Sequence, residues 1–585
     1  MIIKVNSGSV ELTPDATTSI NGGMPGAMVT LTGTPTSLKA TLGNGDDSIV
    51  IDGGADFAMP GGVTIDGGHG SNFFFFWTLG KLTLGNLTLR SGDGDDLVQI
   101  SGGAGKGSSV TGKASFDLGL GPSTIAINEV DFASPGSISI KSSGLGDQGQ
   151  VTLTKCTVPG GLRVVSQNAL VNVILNNSTV GSINMTGARR GQLLITDGTI
   201  NGNVTFRTGH QASLETDNAN ITGNVQASVA EQITVQTRGT TTIGGNVALK
   251  AGEVEFFVGN AAAHSTTVQG NVSMQGRELL LFVDQADFGA RMVDMKAARQ
   301  STVFMHALPD GVVNVNQMNV SASQTAANVN MFAMTLETSI NGNLSLSARR
   351  GYVEAEIMCK DFLVQGSVQV VAGMGSNISL NNTDSGQINN KFTVFGSSGA
   401  DHVELLHPLT FNGDVTLDLK DGSNEVTIGE VLGPIQLQKN LTVKTGGGWD
   451  DVRLIQTKVA GTTSITTGSG TDEIAINYGS DFTGAVSLDT GRGDDFLSIG
   501  NMTGAPSSTV FNAGLFAKLG DGNDNLVLGF HPFSGGDINS MANFVVDSVI
   551  DGGSGINLLD GLTPTMQPCF FTHLVDLLNW TDPNP

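Results

Sequence analysis

An acidic turn recurs along the chain and carries the residues that could do chemistry. Its six clearest copies read GNGDD, GDGDD, GGGWDD, GSGTDE, GRGDD and GDGND. Each copy places carboxylates at the end of a glycine-rich turn, and oxygen-rich, flexible turns of this kind suit Ca²⁺. The candidate metal ligands are Asp46, Asp47, Asp95, Asp96, Asp450, Asp451, Asp472, Asp494, Asp495, Asp521 and Asp524.

The copies between Asp450 and Asp524 follow one another at similar spacing, so their side chains are expected to stack. Like charges about 5 Å apart repel by about 1 kcal/mol per adjacent pair even in water. Backbone N–H donors, bound cations or a stagger of the corners could offset this repulsion, and the cation that suits such turns is calcium. The alternative is that the Asp and Asn side chains form Asx-type turns with their own backbone, which need no ion.

The residues after each acidic turn predict a β-strand. Counting from the acidic residue, positions +2 and +4 are apolar in every copy, and a period of two buries one face of a strand. The apolar pairs are Ile49/Ile51, Val98/Ile100, Val452/Leu454, Ile474/Ile476, Leu497/Ile499 and Leu526/Leu528.

A second marker, a glycine followed by a polar–apolar alternation such as GNLTL or GNVAL, repeats in steps of 20 to 27 residues between Gly62 and Gly270. A unit of this length cannot bury its apolar face alone, whereas stacked units bury a continuous core. The 81 glycines supply the corners, where a positive φ is needed. The prediction is an all-β fold, a right-handed parallel β-helix of roughly 24 coils with about 24 residues each.

The turn residues divide the predicted solenoid into segments. Residues 1–40 are expected to start or cap it, and residues 561–585 to form a C-terminal cap or docking tail. Acidic Gly-Asp turns mark the coils of 41–180 and 397–560, and neutral Asn/Gly turns mark those of 181–396. The stretch FFTHLVDLLNW in the tail has apolar residues at helical spacing, which predicts a short amphipathic cap.

The acidic turns resemble the G-G-x-G-x-D-x-U-x repeat of RTX haemolysin-type proteins, whose stacked turns bind calcium between them. More broadly, the chain resembles the Gly/Asp/Thr-rich repeat regions of bacterial surface proteins that are common in planctomycetes. The resemblance covers residues 43–100 and about 397–557. It implies a secreted or surface protein with calcium at its turns. One difference is that RTX repeats are tandem, whereas here one copy occurs in about 24 residues.

Composition and patterning argue against several classes of partner. The net charge of −24 argues against nucleic-acid binding, which needs a basic face. No apolar run of about 18 residues occurs, so no helix is expected to span a membrane. The opening MIIKVNSGSVELTPD predicts a strand and a turn, and it contains no recognisable signal peptide in this numbering. We expect an extracellular or cell-surface location.

The chain is not expected to be an enzyme, and no catalytic residue is assigned. Its eight His residues are scattered, and the sequence contains no Ser/His/Asp set, phosphate loop or zinc spacing. The preferred function is that of a rod-like structural protein of a bacterial envelope, an adhesin or an extracellular fibre that self-associates head to tail or laterally. The alternative is a β-helix that binds or cleaves polysaccharide at the cell surface, although fold analogy alone cannot supply an active site.

The densest aromatic stretch of the chain is SNFFFFW. In a strand, Phe73, Phe75 and Trp77 would share one face, and Phe74 and Phe76 would share the other. One of the two sets is therefore expected to face outward, as a contact surface or beneath a neighbouring segment.

Overall fold

The computed structural model describes residues 1–6, 9–14, 24–33, 35–119, 121–133, 138–142, 148–166, 170–259, 264–284, 286–500, 508–528, 542–560, 570–571 and 575–580. These residues form strands and turns without an α-helix. The chain divides into two compact units, Met1–Gly276 and Arg277–Pro585. Each unit is a parallel β-solenoid, and the two together contain about 20 turns of roughly 24 residues. The predicted all-β parallel β-helix is confirmed, while its right-handedness stays a prediction.

Each turn of the first unit passes through three rows of strands, and strands of one row pair in parallel from turn to turn. Row A, which follows the acidic or equivalent turn, contains Ile2–Asn6, Ser48–Gly53, Phe73–Thr78, Asp96–Ser101, Ser123–Asn128, Gln148–Thr154, Leu170–Asn176, Arg190–Thr196, Gln211–Asp217, Gln232–Arg238 and Glu253–Val258. Row B, which is shorter, contains Phe57–Met59, Leu82–Leu84, Ser108–Val110, Val130–Phe132, Thr157–Val158, Thr179–Val180, Thr199–Ile200, Asn220–Ile221 and Thr240–Ile243.

Row C of the first unit follows the glycine marker of the repeat. It contains Ser37–Thr41, Gly62–Asp66, Leu87–Ser91, Ala114–Leu118, Ile138–Ser142, Leu162–Ser166, Ile183–Thr186, Val204–Arg207, Val225–Ser228 and Val247–Lys250. The long strand His264–Asp284 continues row B and then row C, because its residues 265–268 and 272–275 pair with successive rows of the turn before. At the start of the unit, Ser9–Thr13 pairs antiparallel with both Ile2–Asn6 and Val29–Thr32.

The second unit repeats the three rows. Two long strands, Ala286–Val315 and Asn328–Ile340, run through more than one row. Row A continues with Tyr352–Ile357, Gly375–Leu380, Asp401–Leu405, Glu425–Ile428, Asp451–Ile455, Glu473–Asn477, Phe496–Ile499, Asn525–Leu528 and Leu558–Asp560. Row B continues with Asp361–Val364, Ser385–Ile388, Leu409–Phe411, Ile435–Leu437, Thr457–Val459, Asp481–Phe482, Thr509–Phe511, Ala542–Phe544 and Phe570–Phe571. Row C contains Met318–Ala322, Leu344–Ala348, Val368–Ala372, Phe392–Phe395, Val415–Lys420, Leu441–Thr445, Thr463–Thr466, Val486–Asp489, Leu515–Lys518, Ser548–Asp551 and Val575–Leu578.

The core of each unit consists of the inward side chains of these rows. All the apolar pairs predicted from the alternation are buried. Because the strands pair in register, Ile474 lies beside Leu497 of the next turn, and like residues stack on like. Phe482, Phe511 and Phe544 on three successive turns stack with ring centroids 5.3 Å apart. Stacked apolar ladders of this kind supply the hydrophobic driving force for the solenoid.

The number of turns is lower than the sequence estimate because the coils differ in length. Ser9–Thr13 and Val29–Thr32, before the first strand of row C, belong to the antiparallel strands at the start of the first unit. Near the end of the second unit the coils lengthen, since Leu497 pairs with Leu526, which pairs with Leu559. The strands of row A nevertheless pair in register across these longer coils.

Two local expectations have definite outcomes. Phe74 and Phe76 are buried in the core, whereas Phe73, Phe75 and Trp77 face outward and are half-buried.

The amphipathic helix predicted in the C-terminal tail is wrong for Val575–Leu578, which form a strand of row C paired with Ser548–Asp551. The pairing partner on the preceding turn outweighs the helical spacing of the segment. Residues 561–569 and 572–574 lie outside the described residues. Within the described ranges no helix has the length and apolar character needed to cross a membrane.

Candidate functional site

The acidic turn has a layout of six residues, counted from the residue before its first glycine, as in residues 467–472. In the copy that ends at Asp472, Gly468 and Gly470 have φ values of 102° and 147°. A Cβ atom at Gly470 would overlap the carbonyl oxygen of Gly448 in the preceding turn. Glycine therefore allows successive turns to stack this closely. The sixth residue, Asp472, is buried immediately before the strand Glu473–Asn477.

Four successive turns of the second unit carry Asp at the sixth position, and we call these residues the aspartate column. Its members are Asp450, Asp472, Asp495 and Asp524, none more than 2% exposed. The Oδ1 atom of each accepts a backbone N–H from the preceding turn. These bonds run from Asn424 N to Asp450 (3.0 Å), from Asp450 N to Asp472 (3.0 Å), from Asp472 N to Asp495 (2.9 Å) and from Asp495 N to Asp524 (2.9 Å).

The second carboxyl oxygen of each member has no partner. Among the described residues, the buried Oδ2 atoms of Asp450, Asp472, Asp495 and Asp524 make no hydrogen bond. The Thr445, Thr467 and Thr490 hydroxyls lie near the first three carboxyls and oppose the rise in their pKa, but they do not satisfy Oδ2. Buried polar atoms without a partner are uncommon in folded proteins. Each is unfavourable by about 1–3 kcal/mol, and by more when the group is charged. The column therefore presents four buried acceptors that lack a donor or a cation.

The asparagines at the two ends of the column show what these oxygens face. Asn424 Nδ2 donates to Asp450 Oδ1 on the next turn (2.8 Å) and to the carbonyl oxygens of Gly422 (3.1 Å) and Lys420 (3.3 Å). Asn557 Nδ2 donates to the carbonyl oxygens of Gly552 (2.8 Å) and Asn579 (3.1 Å). An Asp at the same position replaces this NH₂ group by an oxygen. By analogy, we infer that the Oδ2 atoms of the column face turn carbonyls and the carboxyl of the next turn, which are acceptors as well.

Burial raises the pKa of every carboxyl in the column. For Asp472 the pKa reaches about 7. Burial is the main cause, the Thr467 hydroxyl and the Asp450 N–H lower the pKa, and the charges of Asp450 and Asp495 raise it. Burial also raises the pKa of Asp524 to about 6, and it raises those of Asp450 and Asp495. The surroundings thus oppose a bare negative charge and favour a proton or a cation against Oδ2.

A shorter version of the arrangement occurs in the first unit. Asp47 N donates to Asn72 Oδ1 (3.1 Å), and Asn72 N donates to Asp96 Oδ1 (3.0 Å). The Oδ2 atoms of Asp47 and Asp96 have no partner among the described residues. In the following turn this position is Ser123, and Asn72 separates the two aspartates. Carboxylates therefore do not occupy successive turns here.

Four other predicted ligands lie at the turn surface and are exposed: Asp46, Asp95, Asp494 and Asp521. Two of them cap a backbone N–H of the next coil. Asp46 Oδ1 accepts from Ser71 N at 2.8 Å, and Asp494 Oδ1 accepts from Asn523 N at 2.8 Å. Capping of this type needs no ion. It differs from the Asx turns considered from sequence, because the capped backbone belongs to a neighbouring coil.

The remaining predicted ligand, Asp451, lies on row A next to the column. Arg453 Nε donates to its Oδ1 at 3.1 Å, and Arg453 Nη2 donates to its Oδ2. Burial raises the pKa of Asp451 to about 6, against the lowering effect of Arg453 and with a further rise from Glu473 and Glu425. The Arg453 guanidinium donates to both carboxyl oxygens, so Asp451 belongs to an ion pair on the sheet face and not to the column.

The pairing register also brings together charged residues that sequence reasoning missed. On the outer face of row A, His402 Nδ1 lies 3.1 Å from Glu425 Oε2, and His402 Nε2 lies 3.4 Å from Glu404 Oε1. These residues occupy outward positions of adjacent repeats, and that spacing could have revealed them. Each of the two glutamates has His402 as its partner, so these three side chains satisfy one another and need no bound substrate to explain their placement.

Two turns that look degraded in sequence belong to the same structural series as the column. Asp401 of GSSGADHVEL is buried, its N–H donates to Asn424 Oδ1 (3.2 Å), and its Oδ2 has no partner among the described residues. Asn557 of GSGINLLD accepts from Asp524 N at 3.0 Å. The signal that identifies them is an Asp or Asn two residues after the second turn glycine and two before the first inward-facing apolar residue of the strand.

The oxygens of the column could hold a metal only together with turn carbonyls. Within the described ranges, no group of three or more His, Cys, Asp or Glu side chains is placed to hold a metal ion by itself. Carboxylate and carbonyl oxygens are the ligands that Ca²⁺ uses. The unpartnered Oδ2 atoms and the turn carbonyls are therefore ligand atoms of the chemical type that calcium binds.

Comparisons with protein-family models, with curated proteins and with solved structures gave no match. The similarity to RTX-type turns is therefore a similarity of turn sequence. The assignment of function rests on the geometry of the aspartate column and of the sheet faces.

Proposed function

We propose that the chain is a structural β-solenoid of the cell surface or extracellular space whose aspartate column is completed by calcium ions. The observation that supports this proposal is the run of four successive buried carboxylates, each with one oxygen that lacks a partner. Catalysis is not part of the proposal, because the outer-face carboxylates examined above, Asp451, Glu404 and Glu425, have cationic or histidine partners.

A cation satisfies the column better than solvent can, because its oxygens are buried. Adjacent turns are about 4.8 Å apart, and at this distance two like charges near a protein surface repel by roughly 3 kcal/mol. An ion between Oδ2 of Asp450 or Asp472 and the turn carbonyls would offset this repulsion and occupy the unpartnered acceptors. Ca²⁺ accepts irregular sets of six to eight oxygens, whereas Mg²⁺ demands a small octahedral site.

The ligand set predicts weak calcium binding. Each turn contributes a single buried carboxyl, and carbonyl oxygens must supply most of the remaining ligands. Calcium sites with few charged ligands have dissociation constants on the order of 10⁻⁴–10⁻³ M, as in extracellular modules. Sites of this strength fill only where calcium is millimolar. This argument supports a location outside the cell.

Self-association follows from the solenoid architecture. Within the described residues, the last strand of each row has no pairing partner on its outer side, and a second copy can pair with its backbone groups. Ile556, Leu558 and Leu578 in the last described turn are 67%, 43% and 47% exposed. Head-to-tail stacking is a heterologous contact that does not close, so it would produce filaments.

Polysaccharide binding is the second candidate function. A polar groove on row C of the first unit supports it. The groove is remote in sequence from the aspartate column, and the two functions are compatible in one chain.

The calcium proposal is tested by thermal unfolding of the full chain in chelator and at increasing calcium concentration. We expect the melting temperature to rise with millimolar calcium, because an ion that binds only the folded state stabilises it by mass action. The variant Asp472→Asn should reduce this rise and increase the stability of the calcium-free protein, since Asn supplies the donor that Asn424 already uses. The control is Asp494→Asn, a change at an exposed position of a neighbouring turn, which should leave both quantities unchanged.

A direct binding measurement uses Tb³⁺ in place of calcium. Trp449 is half-exposed beside Asp450, and its indole can sensitise the luminescence of a lanthanide bound at the column. We expect luminescence that calcium displaces and that Trp449→Phe abolishes. A melting temperature that does not respond to calcium, together with the absence of displaceable Tb³⁺ luminescence, would contradict the proposal.

A further inference from the structure

A groove of about 320 Å³ lies on the outer face of row C in the first unit. It is formed by the strands Val204–Arg207, Val225–Ser228 and Val247–Lys250 and by residues 272–275 of His264–Asp284. These strands occupy four successive turns in parallel register. The volume lies at the lower end of the range typical of ligand sites, about 300–1,000 Å³.

The groove is positively charged in an otherwise acidic protein. Arg207 and Lys250 are exposed along its length, two turns apart, which corresponds to about 10 Å. No carboxylate lines the groove. In the part of the chain that the structure describes, neither cation takes part in an ion pair, although the whole chain has a net charge of −24. Two cations that form no ion pair, in a groove that no carboxylate lines, attract an anionic ligand.

The other outward side chains of the groove are hydrogen-bonding groups. They are Thr205, Gln226, Ser228, Ser273 and Gln275, with the small residue Ala248 between them. Amides and hydroxyls both donate and accept, so they match a ligand rich in hydroxyl groups.

The corner before row C adds an asparagine ladder along one side of the groove. Asn224 N donates to Asn203 Oδ1, and Asn246 N donates to Asn224 Oδ1, both at 2.8 Å. Asn271 N continues the series by donating to Asn246 Oδ1 at 2.9 Å. The ladder fixes the spacing of the turns and therefore holds the outward side chains in register.

The form of the groove favours a polysaccharide over a protein strand. Val204–Arg207, Val225–Ser228 and Val247–Lys250 are each paired with neighbours on both sides, so these three strands offer no free edge to an added peptide strand. The inward residues Phe206 and Leu249 are buried, and Ala248 is the apolar side chain on the surface. An aromatic or aliphatic anchor of a protein partner would therefore find no pocket.

We propose that this groove binds an anionic polysaccharide of the uronic acid class. Carboxylates of the polymer would pair with Arg207 and Lys250, and its hydroxyls would bond the glutamine and serine side chains between them. The inference rests on the second candidate function, polysaccharide binding, and it does not depend on the calcium sites.

The test is isothermal titration calorimetry of the full chain with oligogalacturonate, in chelator so that calcium cannot bridge the two. We expect the double variant Arg207→Gln/Lys250→Gln to bind at least about tenfold more weakly, because each lost charge-assisted bond is worth about that factor. Ala248→Trp, which leaves the charges in place and fills the groove, should weaken binding as well. The matched control is Arg163→Gln, an exposed cation of row C two turns outside the groove, which should bind like wild type.

The outcomes separate the site from the function. If wild type does not bind oligogalacturonate, polysaccharide binding of this class is wrong. If wild type binds and the double variant and Ala248→Trp bind equally well, the groove is the wrong location. Equal loss in Arg163→Gln would show attraction by overall charge instead of a site. Equal binding of neutral dextran would overturn the anionic class, and equal binding of polyglutamate would overturn the choice of a glycan.

Discussion

The backbone N–H of Asp472 donates to Oδ1 of Asp495 on the next turn at 2.9 Å, while Oδ2 of Asp495 has no partner among the described residues. One oxygen of each column carboxyl therefore has a structural role that any Asx residue could perform. The other oxygen distinguishes Asp from Asn.

Calcium-free stability should fall as the pH rises from about 4 to about 7. Unfolded aspartates release their protons near pH 4. Burial raises the pKa of folded Asp472 to about 7 and that of folded Asp524 to about 6. Between these values the folded state binds more protons, so the free energy of unfolding decreases with pH. Urea unfolding in chelator at a series of pH values measures this dependence.

The variant Asp472→Asn/Asp524→Asn isolates the part of the pH dependence that the column causes. Its stability should change less than that of wild type across the same interval, because two of the titrating groups are gone. If wild type and variant have parallel pH profiles, the column does not take up protons on folding. Added calcium should reduce the decrease for wild type at neutral pH, since the ion replaces the proton.

Asn424→Asp should extend the column by one carboxylate. The variant retains the acceptor for Asp401 N but loses the donor to Gly422 O and to Asp450 Oδ1. We expect the calcium-free protein to lose about 1–3 kcal/mol of unfolding free energy, and calcium to restore part of it. Urea unfolding with and without calcium measures both effects. Asn523→Asp adds the same charge at an exposed position and should change stability little.

Gly470→Ala should destabilise the second unit strongly. The added Cβ would occupy a backbone with φ of 147° and overlap the carbonyl oxygen of Gly448. We expect a loss of about 3 kcal/mol or more. Gly447→Ala is the matched control, because the nearest atom to its Cβ would be Ser469 Oγ at 3.3 Å, a side chain that can rotate. Similar melting temperatures for the two variants would contradict the stacked-turn geometry.

Asn343→Ala should remove one corner cap of the second unit. Asn343 Oδ1 accepts from Ser367 N at 2.8 Å across adjacent turns. Loss of this bond should lower the free energy of unfolding by about 1 kcal/mol. Asn343→Asp retains the acceptor and should retain most of the stability. Equal losses in the two variants would show that the amide nitrogen, rather than the cap, is important.

The sequence indicates the turn geometry and the core more clearly than it indicates the site. Period-two alternation identifies Ile474 and Ile476 as core residues because burial on one face of a strand needs only local spacing. The same reasoning treats Asp494 and Asp495 alike, although one is exposed and the other is buried. Their difference in burial arises from the position at which the chain bends, which the sequence alone does not show.

The amino-acid sequence by itself determined the repeat, the strand alternation, the glycine corners and the acidic turn, because each depends on residues close together in the chain. The tertiary structure decided which carboxyl oxygens lack partners, that Arg453 forms an ion pair with Asp451, and that Arg207 and Lys250 line one groove. These relationships join residues one or more turns apart. They depend on the register between coils, which is set by the length of each corner and by the packing of the core.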